Sequence, residues 1–276
     1  DIRPRESENK NIAFLAEETF KAFKSGKPII FMMGAHLIKN GLSPLIVDLL
    51  ERGIIRLAAF NGACPIHDTE LALCGGTSEK VEESLAEGRF GFAKEAGIVV
   101  NSAYFEAYKR KMGAGETLGA VIAGHIGLNQ EINFPFKEHS IFYWAYKNNV
   151  PATIHAAIGT DIIDQHPNSL FDAKGYASGV DFSIFAENIT HLEEGGVIIN
   201  IGNAVTHPEV FLKSVSMAAN IGKPPAFITT AVFDLFDVDL NDIADEEKPG
   251  YYRRDVKSML VRVPKAFKGR GVYIKG

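Results

Sequence analysis

Residues 28–51 read PIIFMMGAHLIKNGLSPLIVDLLE, which is an apolar run followed by a glycine turn and an amphipathic segment. The run at 28–33 is apolar throughout, as expected of a buried strand, and leucine and isoleucine then recur at helical spacing over 37–51. Alternating strands and helices are typical of βαβ units around a parallel sheet. We therefore predict an α/β fold with a parallel sheet and helices on both faces, in which further strands occupy 54–60, 150–156, 196–201 and 226–232.

The length of 276 residues suits one α/β domain, and no linker rich in Pro, Gly or Ser interrupts the chain. We predict a single domain over 1–276 with a helical insertion at about 65–136. Residues 237–247 are acidic and predict a surface loop, with a flap that contacts a cationic ligand as the alternative. Residues 253–270 lean basic but contain apolar residues, so we predict a strand and turn with a solvated face, or else a docking site for an acidic partner.

Composition argues against several classes of protein. The formal net charge is −5, whereas binding of nucleic-acid phosphates needs clustered Lys and Arg. Cys64 and Cys74 are too few for a disulfide framework and are spaced unlike a zinc site, so we expect a reducing, cytoplasmic environment. No apolar run reaches the roughly 18 residues of a membrane span, and residues 1–10 lack an apolar signal core. Because the chain lacks an initiator Met and ends abruptly at Gly276, we expect further residues beyond its ends.

Glycine and polar residues follow the predicted strands. Ligands of open parallel sheets bind at the carboxyl ends of the strands, where glycine lets the backbone approach a pyrophosphate. The GxGxxG and GxxxxGK[ST] motifs are absent, so neither a standard Rossmann dehydrogenase nor a P-loop enzyme is supported. We predict a nucleotide site of another type, built from four turns: Gly34, Ala35 and His36; Asn61, Gly62, Ala63 and His67; Gly159, Thr160, Asp161 and Asp164; Gly202, Asn203 and His207.

The segment HAAIGTDIIDQH at 155–166 allows two interpretations. Its His and Asp residues at short spacing are of the types that ligate metals. The same segment also suits a helix start, in which Thr160 or Asp161 is an N-cap and Asp164 is left to hold a ligand ammonium group. We favour the second interpretation and predict no metal. Each of three histidines that follow a strand is a candidate general base or else a plain helix cap: His36, His67 and His207.

Four segments resemble deoxyhypusine synthase, which uses NAD to move the aminobutyl group of spermidine onto a protein lysine. SIFYWAYKNNVP at 140–151 resembles the family's helix with Tyr and Trp that leads into a central strand. The other three resemble its glycine turns after strands: GAHLIKNGL at 34–42, IIRLAAFNGACPIHD at 54–68 and GGVIINIGNAVTHPEVFL at 195–212. The resemblance spans about residues 25–235 in the same order.

The resemblance implies a parallel-sheet NAD-binding fold, NAD as cofactor and a homotetramer with active sites at a dimer interface. Chemistry would begin with hydride transfer from spermidine to NAD, and the resulting imine would pass through an enzyme lysine, which must be unprotonated. Cofactor contacts are implied for Gly34, Ala35, His36, Asn61, Gly62, Ala63, Gly202 and Asn203. Substrate contacts are implied for Asp164, Asp161, His67 and Trp144, and catalysis for Lys257 and His207.

The chain also departs from the family. Its only Trp is Trp144, whereas the family's nucleophilic lysine stands in a Trp-Gly-Lys segment, so Lys257 is assigned by position and Lys265 is the next candidate. His207 lies within one position of the family's basic histidine, with Pro208 beside it. The acceptor is therefore either a protein lysine or a small amine such as putrescine. Two alternatives stay open: a non-catalytic nucleotide- or polyamine-binding homologue, and another reaction at the same rim that uses His36, His67 and Asp68.

Overall fold

A computed structural model describes residues 7–276, and it confirms the predicted α/β class. One six-stranded parallel sheet with helices on both faces has the strand order β3-β2-β1-β4-β5-β6. All five predicted strands are present, and the sixth was not predicted. Their bounds are Ile29–Met33 (β1), Leu57–Asn61 (β2), Ala152–His155 (β3), Val197–Ile201 (β4), Thr229–Asp234 (β5) and Arg270–Lys275 (β6).

Thirteen α-helical segments connect the strands within residues 7–276. None of the helices in that range is long and apolar enough to span a membrane. Residues 1–6, which belong to the N-terminal stretch 1–10 considered above, lie outside the described residues. The helices are Lys10–Lys24 (α1), His36–Lys39 (α2), Ser43–Glu51 (α3), Cys64–Cys74 (α4), Val81–Ala86 (α5), Lys94–Arg110 (α6), Ala114–Ile122 (α7), Ile141–Lys147 (α8), Phe171–Thr190 (α9), Thr206–Asn220 (α10), Leu240–Ala244 (α11), Arg254–Val256 (α12) and Val263–Ala266 (α13).

The chain forms two compact units, and the first comprises residues 7–33, 54–59 and 185–276. Its strands β1, β4, β5 and β6 pair in parallel, with Val197 opposite both Ile29 and Thr229, and Thr229 opposite Arg270. Every residue of β1 is buried, as are the first four residues of β4. Strands buried on both faces are apolar without alternation, which is why these runs could be recognised in the sequence.

The second unit comprises residues 34–53 and 60–184. Its core includes Phe60 and Phe142, whose ring centroids are 4.3 Å apart. The buried carboxylate of Asp68 accepts hydrogen bonds from the Ser140 hydroxyl and from the backbone N–H of Ile141 at 2.7 Å, at the start of α8. Burial raises the pKa of Asp68 to about 6, although these hydrogen bonds oppose the rise. Asp68 therefore stabilises the N-terminus of α8.

Two local predictions were wrong. The predicted helix over 37–51 is two helices, α2 and α3, separated by a turn in which Gly41 has a φ of +74°. The predicted strand and turn over 253–270 is helical, because Val256, Met259 and Val263 are all buried and lie three and four residues apart, as on one face of a helix. The strand of this region begins only at Arg270. The acidic segment 237–247 contains the short helix α11.

Asp181 of α9 binds two other elements of the second unit through its carboxylate. Its Oδ2 accepts hydrogen bonds from the backbone N–H of Ile154 at 2.7 Å and of Gly115 at 3.1 Å. Its Oδ1 is buried without a hydrogen-bond partner among residues 7–276. Burial raises the pKa of Asp181 to about 8, despite these hydrogen bonds, so the folded chain keeps this side chain largely protonated at neutral pH.

We expect the free energy of unfolding of the Asp181→Asn variant to increase, relative to that of the wild type, as the pH rises. The folded pKa lies above the unfolded value of about 3.9, so the stability that Asp181 contributes is complete below pH ~4 and is lost as the pH rises toward 8. Asparagine does not ionise, so the difference in the free energy of unfolding between variant and wild type should grow by up to about 1.4 kcal/mol per pH unit between pH 5 and 8. Urea unfolding at several pH values measures this.

The exposed Asp172 lies on the same helix, and Asp172→Asn is the matched control for the removal of one carboxylate from α9. A pH-independent difference for Asp181→Asn would show that Asp181 is ionised in the folded chain.

Candidate functional site

A buried lysine of the second unit lies between two aspartates. Lys174 of α9 is 1% exposed. Its Nζ lies 2.5 Å from Asp164 Oδ1 and 2.8 Å from Asp161 Oδ2. Hydrogen bonds between charged partners at these distances are stronger than neutral ones, and a buried ammonium needs such partners to remain charged. The three side chains therefore form one charged cluster, which we call the Lys174 cluster.

The turn after β3 gives the two aspartates their positions. Gly159 has a φ of +86°, a conformation that favours glycine, and its N–H donates a 2.7 Å hydrogen bond to Asp164 Oδ2. A 3₁₀ turn at Ile162–Gln165 follows, and the Gln165 side chain donates to the carbonyl of Phe90 at 2.7 Å. Each oxygen of Asp164 thus has its own partner, the backbone on one side and Lys174 on the other.

Gly62 is packed directly against Asp161. A Cβ atom at Gly62 would lie 2.1 Å from Asp161 Oδ2, so no larger residue fits without moving the carboxylate. Burial raises the pKa of Asp161, and the nearby charge of Asp164 adds to the rise, whereas the hydrogen bond and charge of Lys174 oppose it. The close approach of Gly62 is therefore one cause of the burial of this carboxylate.

Tyr104 lies beside the same charges. It is 2% exposed, and its hydroxyl has no hydrogen-bond partner among residues 7–276. Lys174 Nζ lies 5.9 Å from the centroid of its ring. Burial raises the pKa of Tyr104 well above its usual value, and the negative charges of Asp161, Asp181 and Asp164 raise it further. The tyrosine is thus a neutral phenol with an unused hydrogen-bonding group near the cluster.

An open cavity of about 390 Å³ is lined by residues that include Asp161 and Asp164, whose side chains are 8% and 7% exposed. Lys174 is not among its lining residues, so the cavity borders the cluster on the side of the two aspartates. Aromatic, aliphatic and polar residues complete its walls. The lining residues are Phe90, Gly159, Thr160, Asp161, Ile162, Asp164, Gln165 and Phe171.

The other predicted site residues of the second unit lie in several local settings. Gly34 and Ala35 are buried, whereas His36 is exposed. Asn61 Oδ1 accepts a 3.3 Å hydrogen bond from the N–H of Cys64, so this side chain caps the start of α4, beside the half-buried Ala63.

His67 and Trp144, which are predicted to contact the substrate, form contacts with nearby residues of this unit. His67 Nδ1 lies 2.6 Å from Thr77 Oγ1 and 3.6 Å from Glu70 Oε2. Trp144 Nε1 donates to the carbonyl of Glu138 at 3.0 Å. Their functional roles remain predictions.

In the first unit, Gly202, Asn203 and His207 follow β4. Gly202 is exposed with a φ of +61°. The Asn203 side chain accepts a 3.3 Å hydrogen bond from the N–H of His207 through Oδ1, and its Nδ2 lies 2.6 Å from His207 Nδ1. His207 is completely buried, so Asn203 fixes its orientation.

Lys257 is the first residue of a π-helical turn at Lys257–Arg262, also in the first unit. Its Nζ lies 3.8 Å from the centroid of the Tyr251 ring. Burial lowers its pKa, and the positive charges of Arg262 and Arg254 lower it further. Single π-helical turns are frequent at functional sites. The nearby carboxylates of Glu209 and Glu246 oppose this lowering, and Lys265, the next candidate, is exposed on α13.

The histidines of the segment 155–166 do not assemble a metal site. His155 is buried, its Nε2 lies 3.0 Å from Thr153 Oγ1, and burial lowers its pKa to about 3. His166 Nε2 lies 2.8 Å from the carbonyl oxygen of Gly91. Within residues 7–276, no three His, Cys, Asp or Glu side chains are arranged to hold a metal ion.

Lys174 and Tyr104 were not identified from the sequence. A lysine within a helix is ordinarily solvated, and its partners precede it by 10 and 13 residues. One signal was present, because Lys174, Ala177 and Asp181 are spaced at i, i+3 and i+7 and so lie on one helical face. All three are buried.

Comparison with known proteins shows the fold but not the family. No family model matches the chain, and no curated protein does. A protein assigned to the LOR/SDH type from Methanococcus maripaludis S2 has 20% identity and a TM-score of 0.51, over 99% of this chain and 69% of its own. Unliganded AgrE has 18% identity and a TM-score of 0.52, over 89% of this chain and 31% of its own. The ternary complex of AgrE with ornithine and NAD+ also matches, at a TM-score of 0.49.

A protein assigned as a deoxyhypusine synthase from Entamoeba histolytica matches 75% of this chain over 66% of its own, at 15% identity and a TM-score of 0.45. Identities this low show a shared fold alone, and the last similarity is too weak to support an argument. The fold that the sequence resemblance implied is confirmed, whereas membership of the deoxyhypusine synthase family is not shown.

We expect Gly62→Ala to destabilise the protein by roughly 2–4 kcal/mol, because the new Cβ displaces the Asp161 carboxylate from Lys174 and disturbs a buried ion pair. Gly175→Ala is the matched control. Gly175 adjoins Lys174 on α9, has open space at its Cβ position, and should be neutral or stabilising by up to about 1 kcal/mol. Chemical denaturation of both variants provides the measurement. An unchanged midpoint for Gly62→Ala would contradict the close packing described here.

Proposed function

We propose that this chain is an NAD-dependent enzyme that acts on a cationic primary amine. The specific reaction that we propose is aminobutyl transfer from spermidine or a related polyamine. The observation that carries the proposal is the cavity over Asp161 and Asp164, where two carboxylates share the single ammonium of Lys174. The shared fold with AgrE supports it, because AgrE has been solved with NAD+ and ornithine, itself a primary amine.

The charge of the Lys174 cluster favours a cationic ligand. Two carboxylates and one ammonium leave one net negative charge at the wall of the cavity. A carboxylate accepts about four hydrogen bonds, so each aspartate has lone pairs left for a further donor. A substrate ammonium entering the cavity would therefore gain both a charge partner and hydrogen bonds.

We assign the phosphates of NAD to the turn after β4 in the first unit. Gly202 is exposed in a left-handed conformation four residues before Thr206, the first residue of α10, and the dipole of that helix favours an anion at its N-terminus. The turn at Gly62 fits phosphate less well, because the space beside Gly62 is filled by the Asp161 carboxylate. NAD, when bound, would accept a hydride from the amine substrate.

The remaining steps fall to the side chains of the chain itself. Asp164 and Asp161 would orient the ammonium end of the substrate. In the reaction that the resemblance implies, Lys257 Nζ would add to the oxidised C=N carbon of the substrate, and 1,3-diaminopropane would leave as its C–N bond breaks, so that Lys257 holds the aminobutyl group as an imine. His207 would take the proton that the attacking amine loses. The acceptor amine would then displace Lys257, and the hydride taken up earlier would reduce the new imine. The acceptor that we propose is a protein lysine or a small amine, and the assembly a homotetramer, as the resemblance to deoxyhypusine synthase implies.

Incubation with NAD and spermidine tests the proposal. We expect fluorescence from bound NADH, a four-carbon amine product by mass spectrometry, and a borohydride-trapped adduct on Lys257 during turnover. Lys257→Ala should abolish the adduct and leave the affinity for NAD nearly unchanged, whereas Lys265→Ala should retain the adduct.

An adduct on another lysine would overturn the role of Lys257. If NAD is neither bound nor reduced, the similarity ends at the fold and the enzymatic proposal fails. Binding of NAD and spermidine without any turnover would instead identify a non-catalytic binding protein.

A further inference from the structure

We infer that Lys174 determines the charge of the substrate that the cavity accepts. Its ammonium occupies one of two cation positions between Asp161 and Asp164, so the cavity takes a substrate end that carries one positive charge and not two. This inference rests on the proposed function, since it concerns the amine that binds over the same carboxylates.

The geometry separates the two cation positions. Lys174 Nζ reaches both carboxylates from α9, at 2.5 and 2.8 Å, and Lys174 contributes nothing to the cavity wall. Asp161 and Asp164 line the cavity and their side chains are 8% and 7% exposed, so the cavity is the side from which a ligand would reach them. The Nζ position is therefore already filled by the protein, and only the open side is left for a ligand.

The chemistry of the cluster restricts what Lys174 can do. The ammonium of Lys174 donates to both carboxylates, and an ammonium ion has no lone pair for attack on a carbon atom. Lys174 therefore cannot serve as the imine-forming nucleophile while it is in this position. Its contribution is a fixed positive charge, which lowers the charge presented to the substrate from two negative charges to one.

A structural role makes a different prediction. If Lys174 only neutralised the aspartates, its loss would lower stability without changing which amines bind, because breaking a buried ion pair is destabilising whatever its function. The relative affinity for amines with one and with two charges is therefore the decisive quantity.

Three variants form a charge series. Lys174→Met gives the cluster two negative charges and, because methionine is one atom shorter, vacates the Nζ position. Asp164→Asn leaves the cluster neutral while it keeps the pair of Lys174 with Asp161. The double variant Lys174→Met with Asp164→Asn restores the wild-type charge of one. Lys109→Met is the matched control, because Lys109 is a half-exposed lysine of the same unit that pairs with Glu106.

The measurement is calorimetric titration of each protein with n-butylammonium and with putrescine, which carry one and two positive charges. We expect the wild type to bind the two within a few-fold of each other. In Lys174→Met, the ratio of the affinity for putrescine to that for n-butylammonium should be at least about 10-fold higher than in the wild type. Asp164→Asn should bind both amines at least about 10-fold more weakly. The double variant should return toward the wild-type ratio, and Lys109→Met should keep it. Each factor of 10 corresponds to about 1.4 kcal/mol.

The outcomes are distinguishable. If the amines bind but their affinity ratio is the same in wild type, Lys174→Met and the double variant, the assignment of Lys174 is overturned and the proposed function stands. If neither amine binds to any form, the proposed function fails and the inference fails with it. Should Lys174→Met not fold, Lys174→Gln replaces it, because glutamine removes the charge and can still donate hydrogen bonds, and an unchanged affinity ratio in that variant would overturn the inference in the same way.

Discussion

One buried ammonium group, that of Lys174, constrains the part of the second unit that surrounds the candidate cavity. A charge in a low-dielectric interior must be paired, so the turn after β3 has to deliver both Asp161 and Asp164 to the same point. That requirement in turn fixes the left-handed conformation at Gly159 and the absence of a side chain at Gly62. Two glycines that could be taken for phosphate-binding positions are thus accounted for by one ion pair.

Other buried acids of the same unit follow a related principle. Asp68 and Asp181 are paired with backbone N–H groups rather than with cations, and each joins elements that are distant in sequence. Backbone N–H groups that would otherwise be unsatisfied at the start of a helix or on a strand gain an acceptor in this way. Burial raises the pKa of both groups, that of Asp68 to about 6 and that of Asp181 to about 8.

The sequence was sufficient for the fold class and five strands, because strands buried on both faces are continuous apolar runs. The prediction over 253–270 was wrong. Val256, Met259 and Val263 are apolar residues among charged ones, and we predicted a strand although their spacing of three and four residues is that of a helix. The polar residues after each strand were also identifiable, although their functional roles remain predictions. Lys174 could not be found in this way, because its pairing with Asp161 depends on tertiary packing and not on local spacing.

The helical segment from Arg254 to Ala266 contains a further constraint, since its middle turn is a π-helix that begins at Lys257. Each residue of an α-helix advances by about 100° around the axis, and a π-helical turn accommodates roughly one residue more than an α-helical turn. Removal of a single codon from this stretch would restore α-helical phase and rotate Lys257 relative to the buried Val263. In an evolutionary sense, the direction in which this lysine points is set by the length of the segment as much as by its residues.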